Sequence, residues 1–192
     1  STLRPHCWAA ERILKWTPST SRRQRDKLGR PVSLSDDEIE RISTVTCAAW
    51  QESTRSTYGT GLLVFHVYCD LRDIPDEQRA PAPELLILSF ITSLAGSYSD
   101  SAINNYVAGV RAWHIIHGLP WTVDKLRYDK AIAGAGQLAP ETSKRSQREP
   151  VTVNILLMIK SHLDITQSAD AAIWACMCVA FYSLARLGEL VV

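Results

Sequence analysis

An arginine near the end of this 192-residue sequence is its clearest candidate for a chemical role. Arg186 follows an apolar stretch that runs from Ala171 to Leu184, and Glu189 comes three residues later. A buried guanidinium without an anionic partner is strongly unfavourable, so Arg186 is expected to meet an anion. That anion is either Glu189, in an internal ion pair, or a phosphate group of a ligand.

A second group of polar residues suits contacts with base edges. Ser101, Asn104, Asn105 and Arg111 fall on or near one polar arc of a predicted helix. Asn can bind adenine through two hydrogen bonds, and Arg can bind guanine in the same way. The arc is therefore predicted to enter the major groove of DNA, and the alternative is an ordinary solvated helix face.

A third group is basic and lies between two apolar regions. Lys144, Arg145 and Arg148 belong to a segment, 134–150, that holds Gly and Pro and has no apolar periodicity, as is typical of a linker. Such cations can bind DNA phosphates without distinguishing bases. The alternative is a solvated linker that contacts nothing.

The sequence predicts no metal or cofactor. His114 and His117 lie three residues apart on a predicted helix, but no carboxylate or cysteine follows at a matching spacing. The five cysteines form no CxxC pair, which favours free thiols in a reducing, intracellular compartment. Motifs typical of nucleotide binding and of hydrolases are absent from the sequence.

Charge is segregated along the chain although the net charge is only +1. Residues 1–30 hold 8 Lys and Arg against 2 Asp and Glu, residues 31–124 hold 5 against 12, and residues 125–150 hold 6 against 3. Two basic segments therefore flank an acidic block. Basic segments suit a polyanionic partner, or they are solvated linkers.

The elements that position these residues are predicted to be helices, because helical periodicity recurs and strand signals are nearly absent. The composition, 46% hydrophobic and 21% charged, suits one or two globular domains. The clearest signal for the start of a helix is at Ser35, where Glu38 completes a capping box. Further helices are predicted to begin at Ser53 or Thr54, at Pro81 and Pro83, at Ser99 or Ser101, near Lys125, at Thr152 and near Ser168, with stops at Gly96 and Gly118.

Four segments of the chain resemble segments that occur in the same order in tyrosine recombinases and phage-type integrases. The likeness is greatest to the crypton-like and other eukaryotic, notably fungal, members. The last segment, 184–190 (LARLGEL), is similar to the first arginine box of that family. The others are 53–58 with Phe65, Tyr68 and Cys69, then 99–114, and then 144–152.

The resemblance implies a mainly α fold, in which a helical, SAM-like core-binding bundle precedes the first helices of an incomplete catalytic domain. The implied domains are a basic N-terminal extension with a helix start at 1–44, the core-binding domain at 45–135, a basic linker at 136–150 and the start of the catalytic domain at 151–192. The chain is accordingly expected to be a piece of a longer protein.

The resemblance also implies an activity: DNA recombination or integration through a phosphotyrosyl intermediate in the full-length protein. Arg186 would be catalytic, with Glu189 orienting it, and Arg55 would join the DNA contacts. Double-stranded DNA is the implied partner, with a homo-oligomer on DNA, no membrane, and a nuclear location in a eukaryote. Because the nucleophilic tyrosine would lie further along, this chain is expected to bind DNA without cleaving it. A domesticated DNA-binding or chromatin scaffold and a helical protein-interaction module remain as alternatives.

Overall fold

A computed structural model describes residues 2–19, 33–143 and 149–185. These residues form helices and connecting turns, with no β-strand among them, so the predicted mainly helical fold is confirmed. The chain divides into two compact units, residues 1–144 and 145–192, and each is described by itself. The division falls inside the segment that the sequence predicts to be a linker.

The first unit is a bundle of α-helices followed by a short 3-10 helix at Glu141–Ser143. Its helices are α1 (Ala9–Lys15), α2 (Asp36–Cys47), α3 (Glu52–Asp70), α4 (Asp76–Arg79), α5 (Glu84–Leu94), α6 (Asp100–Ile116) and α7 (Lys125–Gln137). Two short helices, α1 and α4, are not predicted from the sequence.

Several helix ends form where the local sequence predicts them. The Ser35 side chain accepts the Glu38 N–H at 3.3 Å, and the Glu38 carboxylate accepts the Ser35 N–H at 2.8 Å. This reciprocal pair satisfies backbone donors that a helix start leaves free. Gly96 and Gly118, just beyond α5 and α6, have φ of +81° and +65°, which glycine adopts without steric cost.

Close backbone contacts place α3 at the centre of the first unit. A Cβ atom at Gly59 would overlap the backbone carbonyl of Ala9 in α1, and one at Gly61 would overlap the backbone of Tyr106 in α6. On the α6 side of the same contact, a Cβ atom at Gly109 would overlap the backbone of Tyr58 in α3. Since Tyr58 lies opposite Gly109 and Gly61 opposite Tyr106, α3 and α6 run antiparallel.

The N-terminal residues belong to the core of the first unit. Ile13 is fully buried and Trp16 is 7% exposed. The indole N–H of Trp113 in α6 donates a hydrogen bond to the Trp16 carbonyl. Within the predicted extension at 1–44, α1 therefore contributes apolar side chains to the core of the bundle. The predicted boundaries at 44/45 and 135/136 fall inside α2 and α7.

A polar cluster fastens the N-terminal segment to α3 and α4. The Arg4 guanidinium donates to the Asp76 carboxylate at 3.0 Å and lies 2.8 Å from His66 Nδ1. The buried guanidinium of Arg79 lies 2.7 Å from the Asp70 carboxylate. Burial, with the two neighbouring guanidinium groups, lowers the pKa of His66 to about 3. His66 is therefore a neutral residue of the folded unit.

The second unit contains α8 (Val153–Lys160) and α9 (Ser168–Ser183). The Thr152 side chain accepts the Ile155 N–H at 3.4 Å, so the predicted cap of α8 is confirmed. The predicted start of α9 at Ser168 is also confirmed. α9 is apolar on all sides yet has no buried residue, so its apolar side chains remain largely accessible within the described part of this unit.

Candidate nucleic-acid interface

The predicted polar arc forms a continuous exposed stripe on α6. Ser101, Asn104, Asn105 and Arg111 are all exposed, and we call them the α6 stripe. The helix is fixed at its start by Ser99, whose hydroxyl accepts the Ala102 N–H at 3.3 Å. The stripe is exposed because the opposite face of α6 is occupied by large side chains packed in the core: Ile103, Val107, Val110 and Trp113.

Asn104 is held from the neighbouring helix. The Tyr128 hydroxyl of α7 donates a hydrogen bond of 2.7 Å to Asn104 Oδ1. Burial is the main cause that raises the pKa of Tyr128, Asp129 adds to it, and the nearby Arg111 acts in the opposite direction. The α6 stripe and α7 therefore form one surface, on which Tyr128 lies between Asn104 and Arg111.

Two cations of α6 and α7 are without a carboxylate partner among the described residues. Arg111 and Lys130 are exposed, and neither forms an ion pair within the part of the chain that the structure describes. The other two cations of α7 are compensated, since Lys125 pairs with Asp129 and Arg127 pairs with Glu84. Arg111 and Lys130 are therefore the side chains available to bind an external anion here.

Arg55 lies on α3, partly exposed, in the turn before Tyr58. Because α3 and α6 run antiparallel with Tyr58 opposite Gly109, Arg55 is level with the α6 residues just beyond Arg111. Its side chain forms no ion pair or hydrogen bond among the described residues. The structure thus places Arg55 at the Arg111 end of the bundle.

The remaining candidate residues cannot be placed. Lys144, Arg145, Arg148, Arg186 and Glu189 lie outside the described residues. The predictions for the linker and for the arginine box therefore rest on the sequence alone.

His114 is a core residue of the bundle. Its Nδ1–H donates to the Val110 carbonyl at 2.8 Å, and its Nε2 accepts the Ala82 N–H at 2.9 Å. Burial lowers the pKa of His114, against the opposite effect of the Val110 carbonyl. Both ring nitrogens are thus occupied by backbone groups. Nowhere in the described ranges do three His, Cys, Asp or Glu side chains come together as they would around a metal ion.

Sequence reasoning misses two residues of the neighbouring helix α7. Tyr128 and Lys130 belong to α7, which the sequence predicts only as a short segment, and no pattern indicates that it packs beside the α6 stripe. A signal is present in the spacing, since Tyr128 and Ile132 lie four residues apart and share the face that packs towards the core. Which helix that face meets cannot be derived from spacing.

Comparisons of the chain with models of protein families, with curated proteins and with solved structures find no match. In the described ranges, no helix has the length and apolar character required to cross a bilayer.

Proposed function

We propose that the first unit binds double-stranded DNA through the α6 stripe and the adjoining face of α7. The observation that carries this proposal is the exposed row of Ser101, Asn104, Asn105 and Arg111, with Lys130 on the adjoining helix α7 and no described carboxylate partner for either cation. Amide and guanidinium groups are suited to base edges, and uncompensated cations are suited to phosphates.

The wider charge distribution supports a directed contact with DNA. The described part of the first unit holds 11 Lys and Arg against 15 Asp and Glu, so a uniform attraction to DNA is not expected. The basic segments 20–32 and 144–148 lie outside the described residues, one before α2 and one after α7. We propose that their cations add phosphate contacts to those of the first unit.

The resemblance of the sequence to tyrosine recombinases indicates in which kind of protein this DNA-binding unit would act. The bundle would be the core-binding domain of a tyrosine-recombinase-like protein, and the second unit would be the beginning of its catalytic domain. In a longer protein, Arg186 would bind the scissile phosphate and Glu189 would orient its guanidinium. Arg186→Lys should then leave DNA affinity within a few fold and strongly reduce covalent strand cleavage on suicide substrates. Cleavage equal to wild type would leave Arg186 as a structural ion-pair residue.

DNA binding itself is tested by fluorescence anisotropy with labelled duplexes over a range of salt concentrations. The variant with Arg111→Ala and Lys130→Ala should bind more weakly, and the slope of log K against log salt should fall by about 0.9 for each phosphate that is no longer neutralised. The control variant, Lys15→Ala with Arg41→Ala, removes the same formal charge from α1 and α2. It should keep the wild-type slope. No binding by the wild-type protein at low salt would refute the proposal.

A protein-interaction function is favoured by a different surface. Leu34, Ile42 and Val45 are 37%, 54% and 63% exposed and lie together with Glu38 and Arg41 along one side of α2. Exposed apolar side chains in a group are typical of contact surfaces. If Ile42→Ser with Val45→Ser abolished association with a partner protein while DNA binding was absent, this second function would replace the first.

A further inference from the structure

The Tyr128 hydroxyl has a specific relation to the amide that would face DNA. It lies on α7, outside the α6 stripe, and donates its hydrogen bond to Asn104 Oδ1 rather than to the amide nitrogen. The phenol ring is half-buried against the core, so the hydroxyl position is set by the packing of α7. A flexible surface amide is thereby held by a residue of a different helix.

This hydrogen bond holds the carboxamide of Asn104 by its oxygen. A carboxamide offers one oxygen acceptor and an amino group with two donors. Contact with both the amino group and N7 of adenine requires the oxygen to accept and the nitrogen to donate. With one lone pair of Oδ1 taken by the Tyr128 hydroxyl, both N–H donors of Nδ2 stay free for an external acceptor.

We propose that Tyr128 is a positioning residue that holds the Asn104 carboxamide by its oxygen, so that the amide meets DNA with its amino group and the interface selects guanine over adenine at the contacted position. The inference rests on the proposed DNA-binding function. Guanine presents two acceptors, O6 and N7, in the major groove, whereas adenine presents one acceptor beside a donor. The amino group of Asn104 can donate to both guanine acceptors, and it would meet the adenine amino group unfavourably.

The test is selection of bound sequences from a randomised duplex pool, followed by anisotropy titration of duplexes that differ only at the selected position. Asn104→Ala identifies that position as the one whose preference disappears. The wild-type protein should prefer guanine there. Tyr128→Phe keeps the ring and removes the hydroxyl, which frees Oδ1, so the guanine-to-adenine ratio should fall by about tenfold with the best affinity within a few fold.

The control is Tyr106→Phe on α6, which removes a hydroxyl that makes no hydrogen bond among the described residues. It should leave the base preference unchanged, and thermal melting by circular dichroism should show that all three variants are folded.

The outcomes separate the inference from the function on which it rests. If the wild-type protein selects a sequence but Tyr128→Phe leaves its base ranking unchanged, the role of Tyr128 is refuted and DNA binding stands. The same conclusion follows if wild type prefers adenine where Asn104 makes contact, or if Asn104→Ala changes no preference. If the wild-type protein binds no duplex at all, the inference and the proposed function fail together.

Discussion

Gly61 of α3 lies directly against the backbone of Tyr106 of α6, at a separation that leaves no room for a Cβ atom. Gly109 of α6 makes the reciprocal approach to the backbone of Tyr58. The two glycines allow α3 and α6 to pack unusually closely. Since α6 carries the candidate interface, this contact determines how the stripe is held on the bundle.

Gly61→Ala should destabilise the protein, although alanine has the higher helix propensity. The added methyl group would meet backbone atoms, which cannot move aside as a flexible side chain can, so the cost should be about 3 kcal/mol. The free energy of unfolding in urea, followed by circular dichroism, measures it. Gly134→Ala is the matched control on α7, where a Cβ atom would meet nothing within 4 Å. That change should stabilise by about 0.5–1 kcal/mol, and an equal effect at both positions would contradict the packing account.

Ile13→Ala should destabilise the first unit by about 2–5 kcal/mol, because Ile13 is fully buried and its truncation leaves a cavity. Trp8→Ala, five residues earlier, removes a larger side chain that is 83% exposed and should change stability by less than about 0.5 kcal/mol. The two variants are compared by urea unfolding. A neutral Ile13→Ala would show that α1 contributes little to the core of the first unit.

The sequence predicted elements with strong local signals and missed those that depend on distant packing. The caps at Ser35, Ser99 and Thr152 were predictable because the capping side chain and its partner lie within a few residues. α1 escaped prediction because it is only seven residues long, which is too short for a clear apolar period, and its stability comes from α3 and α6.

Stability should fall as the pH decreases below about 6.5. The pKa of His66 is lowered to about 3 and that of His114 is also lowered, both mainly by burial. In the unfolded chain each histidine binds a proton near pH 6.5, whereas in the folded protein His66, with a pKa of about 3, stays neutral at pH 5 and His114 takes up its proton at a lower pH than in the unfolded chain. The unfolded state therefore binds more protons, and His66 should reduce stability by about 1.4 kcal/mol per pH unit once well below 6.5, with a further loss from His114.

Urea unfolding at pH 7.5, 6.5, 5.5 and 5.0 measures this dependence. His162→Gln is the control, since His162 is exposed and lies in the second unit, and the pH dependence of the first unit should persist unchanged. Equal stability at pH 7.5 and 5.0 would show that His66 and His114 become protonated in the folded protein.

Only part of the candidate site could be predicted from the sequence. The exposure of Ser101, Asn104, Asn105 and Arg111 followed from helical periodicity, because Ile103 and Val107 fix the opposite face in the core. The hydrogen bond from Tyr128 joins residues 24 positions apart on different helices, so no local pattern could indicate it. The link between Asn104 Oδ1 and α7 is therefore seen only in the tertiary structure.

The linker cations should contribute affinity without base preference. Replacing Lys144, Arg145 and Arg148 by Ala should weaken binding to all duplex sequences by a similar factor, because phosphates are common to every sequence. The slope of log K against log salt should fall by about 0.9 for each phosphate that the linker no longer neutralises, while the ranking of bases at the position that Asn104 contacts should stay as in wild type. The control variant, with Lys15, Arg41 and Lys160 replaced by Ala, has the same reduction in formal charge outside the linker and should keep a slope close to wild type. Equal slopes for the linker variant and wild type would show that this segment is a solvated connection, and a changed base ranking would show that the linker contacts bases as well.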